Sequence, residues 1–325
     1  MFMRLAVLAF TLIYSCQGSP FQWAGNHFVA IEGGVMFEGF ERRRIDAGDV
    51  AINAVLGGSG PPLLLLHGYP QSHVMWRKIA PALADRFTVV ATDLRGYGDS
   101  GKPVGDSRHE TYSKRRMAQD QVNVMAALGH QRFQVAGHDR GGRVAHRMCL
   151  DHGERVQRAA VLDIVPTHTI FTNLTKDVAY GYYHWFFLSQ PYDLPERLIG
   201  AGAEYYLERK LGHWSASMDG FDDEAMSEYL RCFRDPATIH ASCEDYRAAA
   251  TIDLDHDEAD FDSRIACPLL VLWGARGLMH KCYDVLDTWR AKAIDARGEA
   301  MDCGHFLPEE APDETLAALL GFFEM

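Results

Sequence analysis

Five short apolar runs punctuate the chain: Leu63–Leu66, Phe87–Ala91, Phe133–Ala136, Ala159–Leu162 and Leu269–Trp273. They are nearly unbroken rather than alternating, the pattern of strands covered on both faces in a parallel sheet. Ile45–Val55 instead alternates and predicts an outer strand, ending at the turn Gly57-Gly58-Ser59-Gly60-Pro61. Ser113–Leu128 carries Met117, Val122, Met125 and Leu128 at helical spacing, and Leu316–Phe323 suits a closing amphipathic helix. Between Thr167 and Asp257 the apolar runs give way to aromatics and charges, with Tyr182-Tyr183-His184-Trp185-Phe186-Phe187 the densest stretch. Strands alternating with helices, interrupted once, predict a doubly wound α/β sheet with an inserted α-helical cap. The organisation expected is core over 36–166, cap over 167–258, and core again over 259–325.

The first 35 residues stand apart. Leu5–Tyr14 is apolar but too short to span a bilayer as a mature helix. Residues 1–17 read as an export signal or, the reading preferred here, as part of an over-long start ahead of Met36. Cytoplasmic location is the expectation, with export the alternative, and no stable membrane association is expected. A net charge of −12 argues against nucleic acid as a partner and requires that any attraction for an anion come from cations placed locally. The seven cysteines are scattered and form no C-x-x-C pair, so neither a zinc site nor a disulfide framework is expected.

The chemistry concentrates at Ala136-Gly137-His138-Asp139-Arg140-Gly141-Gly142, which closes a predicted strand and opens a predicted helix. Small residues on either side of a central nucleophile allow the sharp strand-to-helix turn of a nucleophile elbow. Here the nucleophile is Asp139. A carboxylate displaces a leaving group from saturated carbon and forms an ester on the enzyme, which water then cleaves with the help of a base. Gly304-His305-Phe306, after the last expected strand, supplies the candidate base His305. Its orienting acid is expected to be Asp163, at the end of Ala159–Leu162, in preference to Asp302. The oxyanion hole is expected from the backbone N–H of Arg140 and of Tyr69 in His67-Gly68-Tyr69-Pro70. Arg140 and Arg143, one helical turn apart, form a pair of guanidinium forks suited to a carboxylate.

With these motifs, and with Leu162-Asp163-Ile164, His184-Trp185, Asp245-Tyr246-Arg247 and Gly277-Leu278-Met279-His280, the chain resembles the fluoroacetate dehalogenases, a branch of the α/β-hydrolase superfamily. The resemblance covers residues 36–325. It implies that Arg140 and Arg143 hold the substrate carboxylate, that His184, Trp185 and Tyr246 receive the halide, that no metal or organic cofactor is needed, and that the protein is a homodimer. Tyr69 departs from the family, which usually has Phe there.

The expected reaction is hydrolytic dehalogenation of a small anionic 2-haloacid, with fluoroacetate to glycolate as the type. The alternative is an epoxide hydrolase using the same Asp139, with Tyr246 and a second cap tyrosine such as Tyr183 protonating the epoxide oxygen. Two buried arginines argue against a neutral epoxide. A non-catalytic receptor for a small acid is the remaining rival, and a complete nucleophile–base–acid set argues against it.

Overall fold

The computed structural model describes residues 36–325. Eight strands form one sheet in the order β1-β2-β4-β3-β5-β6-β7-β8. These are β1 (Glu41–Asp46), β2 (Ala51–Gly57), β3 (Pro62–Leu66), β4 (Thr88–Thr92), β5 (Phe133–His138), β6 (Val156–Leu162), β7 (Leu269–Gly274) and β8 (Ala296–Met301). β1–β2 and β2–β4 are antiparallel, and every other pairing is parallel. The five apolar runs are the five inner parallel strands. Leu63, Leu64, Leu65 and Leu66 are fully buried, each contributing about 2 kcal/mol by leaving water.

Two features differ from expectation. Ile45–Val55 is not one strand but parts of two, β1 and β2, joined by a tight turn. Gly48 takes φ +117° there, its N–H donates to Asp46 Oδ1 at 2.8 Å, and the Ala47 N–H donates to the Val50 carbonyl at 2.9 Å. The alternation on both sides of so short a turn reads as one continuous period. β8, with the sequence ARGEAM, was not anticipated. It lies at the sheet edge and is mostly exposed, so it carries no apolar run. The export-signal reading and the extension ahead of Met36 fall on residues 1–35, outside the described part.

Between β6 and β7 the chain forms eight helices, from Thr167–Thr172 to Ile252–Ala259, and no strand. Among the described residues no helix is long and apolar enough to cross a membrane.

The candidate site residues lie at the carboxyl ends of the inner strands, where open parallel sheets place their ligand sites. β5 ends at His138, Asp139 makes the corner, and the helix Arg140–Asp151 begins at once. The corner needs glycines for space. A Cβ on Gly141 would lie 2.4 Å from the His67 carbonyl oxygen and 2.6 Å from that of Leu66, so the helix can seat against β3 only without one. A Cβ on Gly68 would meet Asp139 Cβ at 2.5 Å, so the absence of one lets the loop after β3 reach Asp139. We expect Gly141→Ala to lower the unfolding free energy by about 1–3 kcal/mol, measured by urea denaturation, and to reduce activity beyond that loss because the corner itself must move.

Candidate active site

Asp139 has φ +45° and ψ −113°, a conformation a non-glycine residue adopts only where its surroundings enforce it. The reward is position: the carboxylate stands at the head of the helix Arg140–Asp151, 5% exposed, with Oδ1 accepting the Tyr69 N–H at 2.9 Å. The other expected oxyanion donor, the Arg140 N–H, is the first amide of that helix. It makes no hydrogen bond to Asp139 in this resting arrangement. Burial alone would raise the Asp139 carboxyl. The charges of His305 and Arg140 outweigh it and hold the group below its ordinary value, so it is ionised at neutral pH.

His305 is reached from β8 through Asp302-Cys303-Gly304. Its Nδ1 lies 2.5 Å from Asp163 Oδ2, while Asp163 Oδ1 accepts the Gly274 N–H at 3.0 Å. Asp163, like Asp139, has positive φ (+50°) at a strand end. Asp302 is 89% exposed and pairs with Arg276 at 3.0 Å, away from His305. Burial would lower the His305 imidazole. The hydrogen bond to Asp163 and the charges of Asp163 and Asp139 reverse this and raise it above its ordinary 6.5. Cys303, two residues away, is an unreactive neighbour: burial pushes its thiol up to about 12.

The arginines are wholly or almost wholly buried. Arg143 donates Nη1 to the Val165 carbonyl (2.9 Å) and to Thr167 Oγ1 (3.1 Å), which leaves Nε and Nη2 without partners among the described residues. Arg140 is engaged through Nε and Nη2, and its Nη1 is unpartnered. The guanidinium carbons lie against aromatic faces, Arg140 4.2 Å from the Tyr246 ring centre and Arg143 4.6 Å from that of Trp185.

Trp185 and His184, on the helix Tyr183–Leu188, meet Tyr246, on the helix Pro236–Ala249, at ring-centre distances of 5.7 and 5.3 Å. Trp185 Nε1, His184 Nδ1 and the Tyr246 hydroxyl are all buried without partners, and so is the Tyr69 hydroxyl. Burial, reinforced by the charges of Lys210 and Arg140, holds His184 well below its ordinary range and therefore neutral. Buried donors are rarely left unpaired in native proteins. Here donors of four residues (Arg140, Arg143, Trp185, Tyr246), together with the imidazole of His184, form one packed cluster beside Asp139 and lack partners among the described residues, whereas the Tyr69 hydroxyl faces that of Tyr206. Such a surplus fits an anion with acceptors at both ends.

The expected residues are thus brought together, and the structure adds others. Trp214 packs between His184 (4.5 Å) and His305 (5.5 Å). Lys210 lies 3.6 Å above the Tyr183 ring with no acidic partner among the described residues, and burial lowers its ammonium to about 7. Neither stands in a sequence motif that would have singled it out. Asp245, which holds Arg140, lay in a motif noted from the sequence but carried no role. Among the described residues no group of three or more His, Cys, Asp or Glu side chains is placed to hold a metal ion.

If Asp163 sets the state of His305, Asp163→Asn removes the interactions that raise the imidazole. The acid limb of the kcat–pH profile should then move to lower pH while kcat falls about a thousandfold or more. Asp302→Asn should leave the limb in place. An unshifted limb in Asp163→Asn would contradict the role given to Asp163.

The family model described as alpha/beta hydrolase fold matches residues 61–312. A fluoroacetate dehalogenase of Burkholderia sp. is 50% identical over 288 residues, 88% of this chain and 95% of that protein. A soluble epoxide hydrolase of Corynebacterium sp. (strain C12) is 36% identical over 83% of this chain and 92% of its own. The crystal structure of ALR0039 from Nostoc sp PCC 7120 superposes with a TM-score of 0.87 at 59% identity, covering 87% of this chain and 97% of that one. The chain belongs to the alpha/beta hydrolase fold family, as a relative of both fluoroacetate dehalogenase and epoxide hydrolases.

Proposed function

We propose that the protein is a hydrolytic dehalogenase of small 2-haloacids, converting fluoroacetate and water to glycolate and fluoride through an ester on Asp139. The observation that carries this reading is the pairing of an ionised buried carboxylate with two sets of unpartnered buried donors, the arginine edges and the trio of His184, Trp185 and Tyr246. Half identity to a fluoroacetate dehalogenase supports it.

In the first step the substrate carboxylate lies against Arg140 Nη1 and Arg143 Nε and Nη2. Asp139 attacks the halogen-bearing carbon from the side opposite the halide. The carbon–halogen bond breaks with its electron pair leaving on the halide, which Trp185 Nε1, Tyr246 OH and a neutral His184 N–H receive. Fluoride is the poorest leaving group of the halides, so three convergent donors in a dry site matter more here than for chloride.

The second step uses the altered charge balance. Ester formation removes the Asp139 charge, one of those that raise His305. The imidazole is thereby released toward its free-base form when a base is needed. His305, oriented by Asp163, then takes a proton from water that attacks the ester carbonyl. The developing oxyanion is met by the Tyr69 N–H, already bonded to Oδ1, and by the Arg140 N–H. Collapse breaks the bond between the ester carbonyl carbon and the glycolate oxygen, which takes the proton from His305, and the carboxyl of Asp139 gives up the water's second proton to return to its carboxylate.

The epoxide reading needs a second phenol beside Tyr246. Tyr183 is 47% exposed with Lys210 over its ring, poorly placed to share an epoxide oxygen. The arginines would add two buried cations that a neutral epoxide does not use. A homodimer is part of the proposal. Leu194, Leu198 and Tyr205, each more than half exposed on neighbouring cap helices, are the residues expected at its interface.

Purified protein should release fluoride from fluoroacetate and chloride from chloroacetate, read by ion-selective electrode, and Asp139→Asn should release neither. Arg140→Ala with Arg143→Ala should abolish haloacid turnover, through loss of the carboxylate contacts and of two of the charges that keep Asp139 ionised. Diol from styrene oxide with no halide from either acid would contradict the dehalogenase reading. His305→Gln should stop after one turnover, with a carboxymethyl group on the peptide carrying Asp139, seen by mass spectrometry.

A further inference from the structure

Asp245 is completely buried in the helix Pro236–Ala249, one residue before Tyr246, and its carboxylate accepts from three side chains. Arg140 donates Nε to Oδ2 at 3.0 Å and Nη2 to Oδ1 at 2.5 Å, a two-pronged pair, and Nη2 also reaches the Asp245 backbone carbonyl at 2.9 Å. Tyr97 OH donates to Oδ2 at 2.7 Å, and Lys114 Nζ donates to Oδ1. Lys114 is held in turn by Asp253, which accepts the Lys114 backbone N–H at 2.8 Å and lies 3.6 Å from Nζ. These donors come from three segments: the loop after β4, the start of the helix Lys114–Ala127, and the nucleophile elbow.

The consequence for Arg140 is geometric. A guanidinium presents five N–H donors on three nitrogens in one plane. Asp245 occupies the Nε–Nη2 edge, and Tyr246 lies against the face of the group 4.2 Å from its carbon. Edge and face are both fixed, so Nη1 alone is left, buried and unpartnered. The charge of Arg140 is also partly neutralised at its far edge, which restrains the guanidinium from folding onto Asp139 and quenching the nucleophile.

We propose that Asp245 is a positioning residue that aims Arg140 Nη1 at the substrate carboxylate and keeps the guanidinium off Asp139, with Tyr97 and Lys114 holding Asp245 in place. This rests on the dehalogenase reading for what the carboxylate site does in turnover, but the anion-binding geometry can be tested separately. Of the three halide donors, Trp185 and His184 touch none of the Asp245 oxygens, and Tyr246 meets Arg140 through its ring face while its hydroxyl bonds to neither residue, so the proposal makes the two ends of the site separable.

The test measures binding of glycolate and of bromide by tryptophan fluorescence in wild type, Asp245→Asn and Tyr97→Phe, with chloride release from chloroacetate followed alongside. Asp245→Asn should weaken glycolate binding about ten- to a hundredfold, the loss expected when a charge-assisted carboxylate contact is misaimed. Bromide affinity should stay within about twofold, and KM for chloroacetate should rise in step with the glycolate loss. Tyr97→Phe removes one donor without unpairing Arg140, and decides the matter if Asp245→Asn does not fold. It should weaken glycolate by about two- to fivefold with bromide unchanged. Equal weakening of both ligands in the folded variants, or no weakening of glycolate, would overturn the proposal. A wild type that binds glycolate but releases no halide from haloacids would overturn the dehalogenase reading instead, leaving the positioning role to be judged on the binding ratio alone.

Discussion

A carboxylate cannot act as a nucleophile in a dry pocket unless something keeps it charged. Asp139 is almost fully buried, and left alone there it would take up a proton. His305, Arg140 and Arg143 supply the opposing field, but each is itself buried and needs compensation. His305 has Asp163, Arg140 has Asp245, and Arg143 has the Val165 carbonyl and Thr167. These partners come from β6's end, from the helix Pro236–Ala249 and from the segment following β6. Charge balance at one atom therefore ties the sheet to the helical insertion, and the site exists only when both are in place.

The division of labour follows from what each part can hold still. Strand ends carry the proposed nucleophile Asp139 and its base's partner Asp163, both in positive-φ conformations that only a firmly packed sheet would enforce. The inserted helices carry donors and aromatic faces, whose exact disposition decides which anion fits. Net charge of −12 leaves the global field unhelpful to the proposed anionic substrate, so affinity for it has to come from the few local N–H and O–H groups left without partners among the described residues.

Much of this was legible in the sequence because it leaves a local signature. Buried parallel strands announce themselves as apolar runs, and the elbow is confined to seven consecutive residues. Asp163 could be preferred over Asp302 because it follows such a run, and the structure puts Asp163 Oδ2, not Asp302, beside His305. β8 was missed because an exposed edge strand has no hydrophobic pattern to display. The hairpin of β1 and β2 was merged because its turn is short. His184, Trp185 and Tyr246 were reached by family resemblance, since aromatics in a helical region do not distinguish packing from donation. Asp245, Lys114 and Tyr97 converge from positions up to 148 residues apart. No periodicity or spacing encodes that meeting, which only the fold creates.

The central claim is that the halogen-bearing carbon is first bonded to Asp139 and only afterwards released by water. A single turnover of chloroacetate in water enriched in oxygen-18, with enzyme in excess, tests it most directly. The hydroxyl oxygen of the first glycolate should be unlabelled, because it comes from Asp139, and the label should appear in the peptide carrying Asp139. Labelled glycolate in the first turnover, with Asp139 unlabelled, would mean that water attacks the substrate directly and would contradict the account.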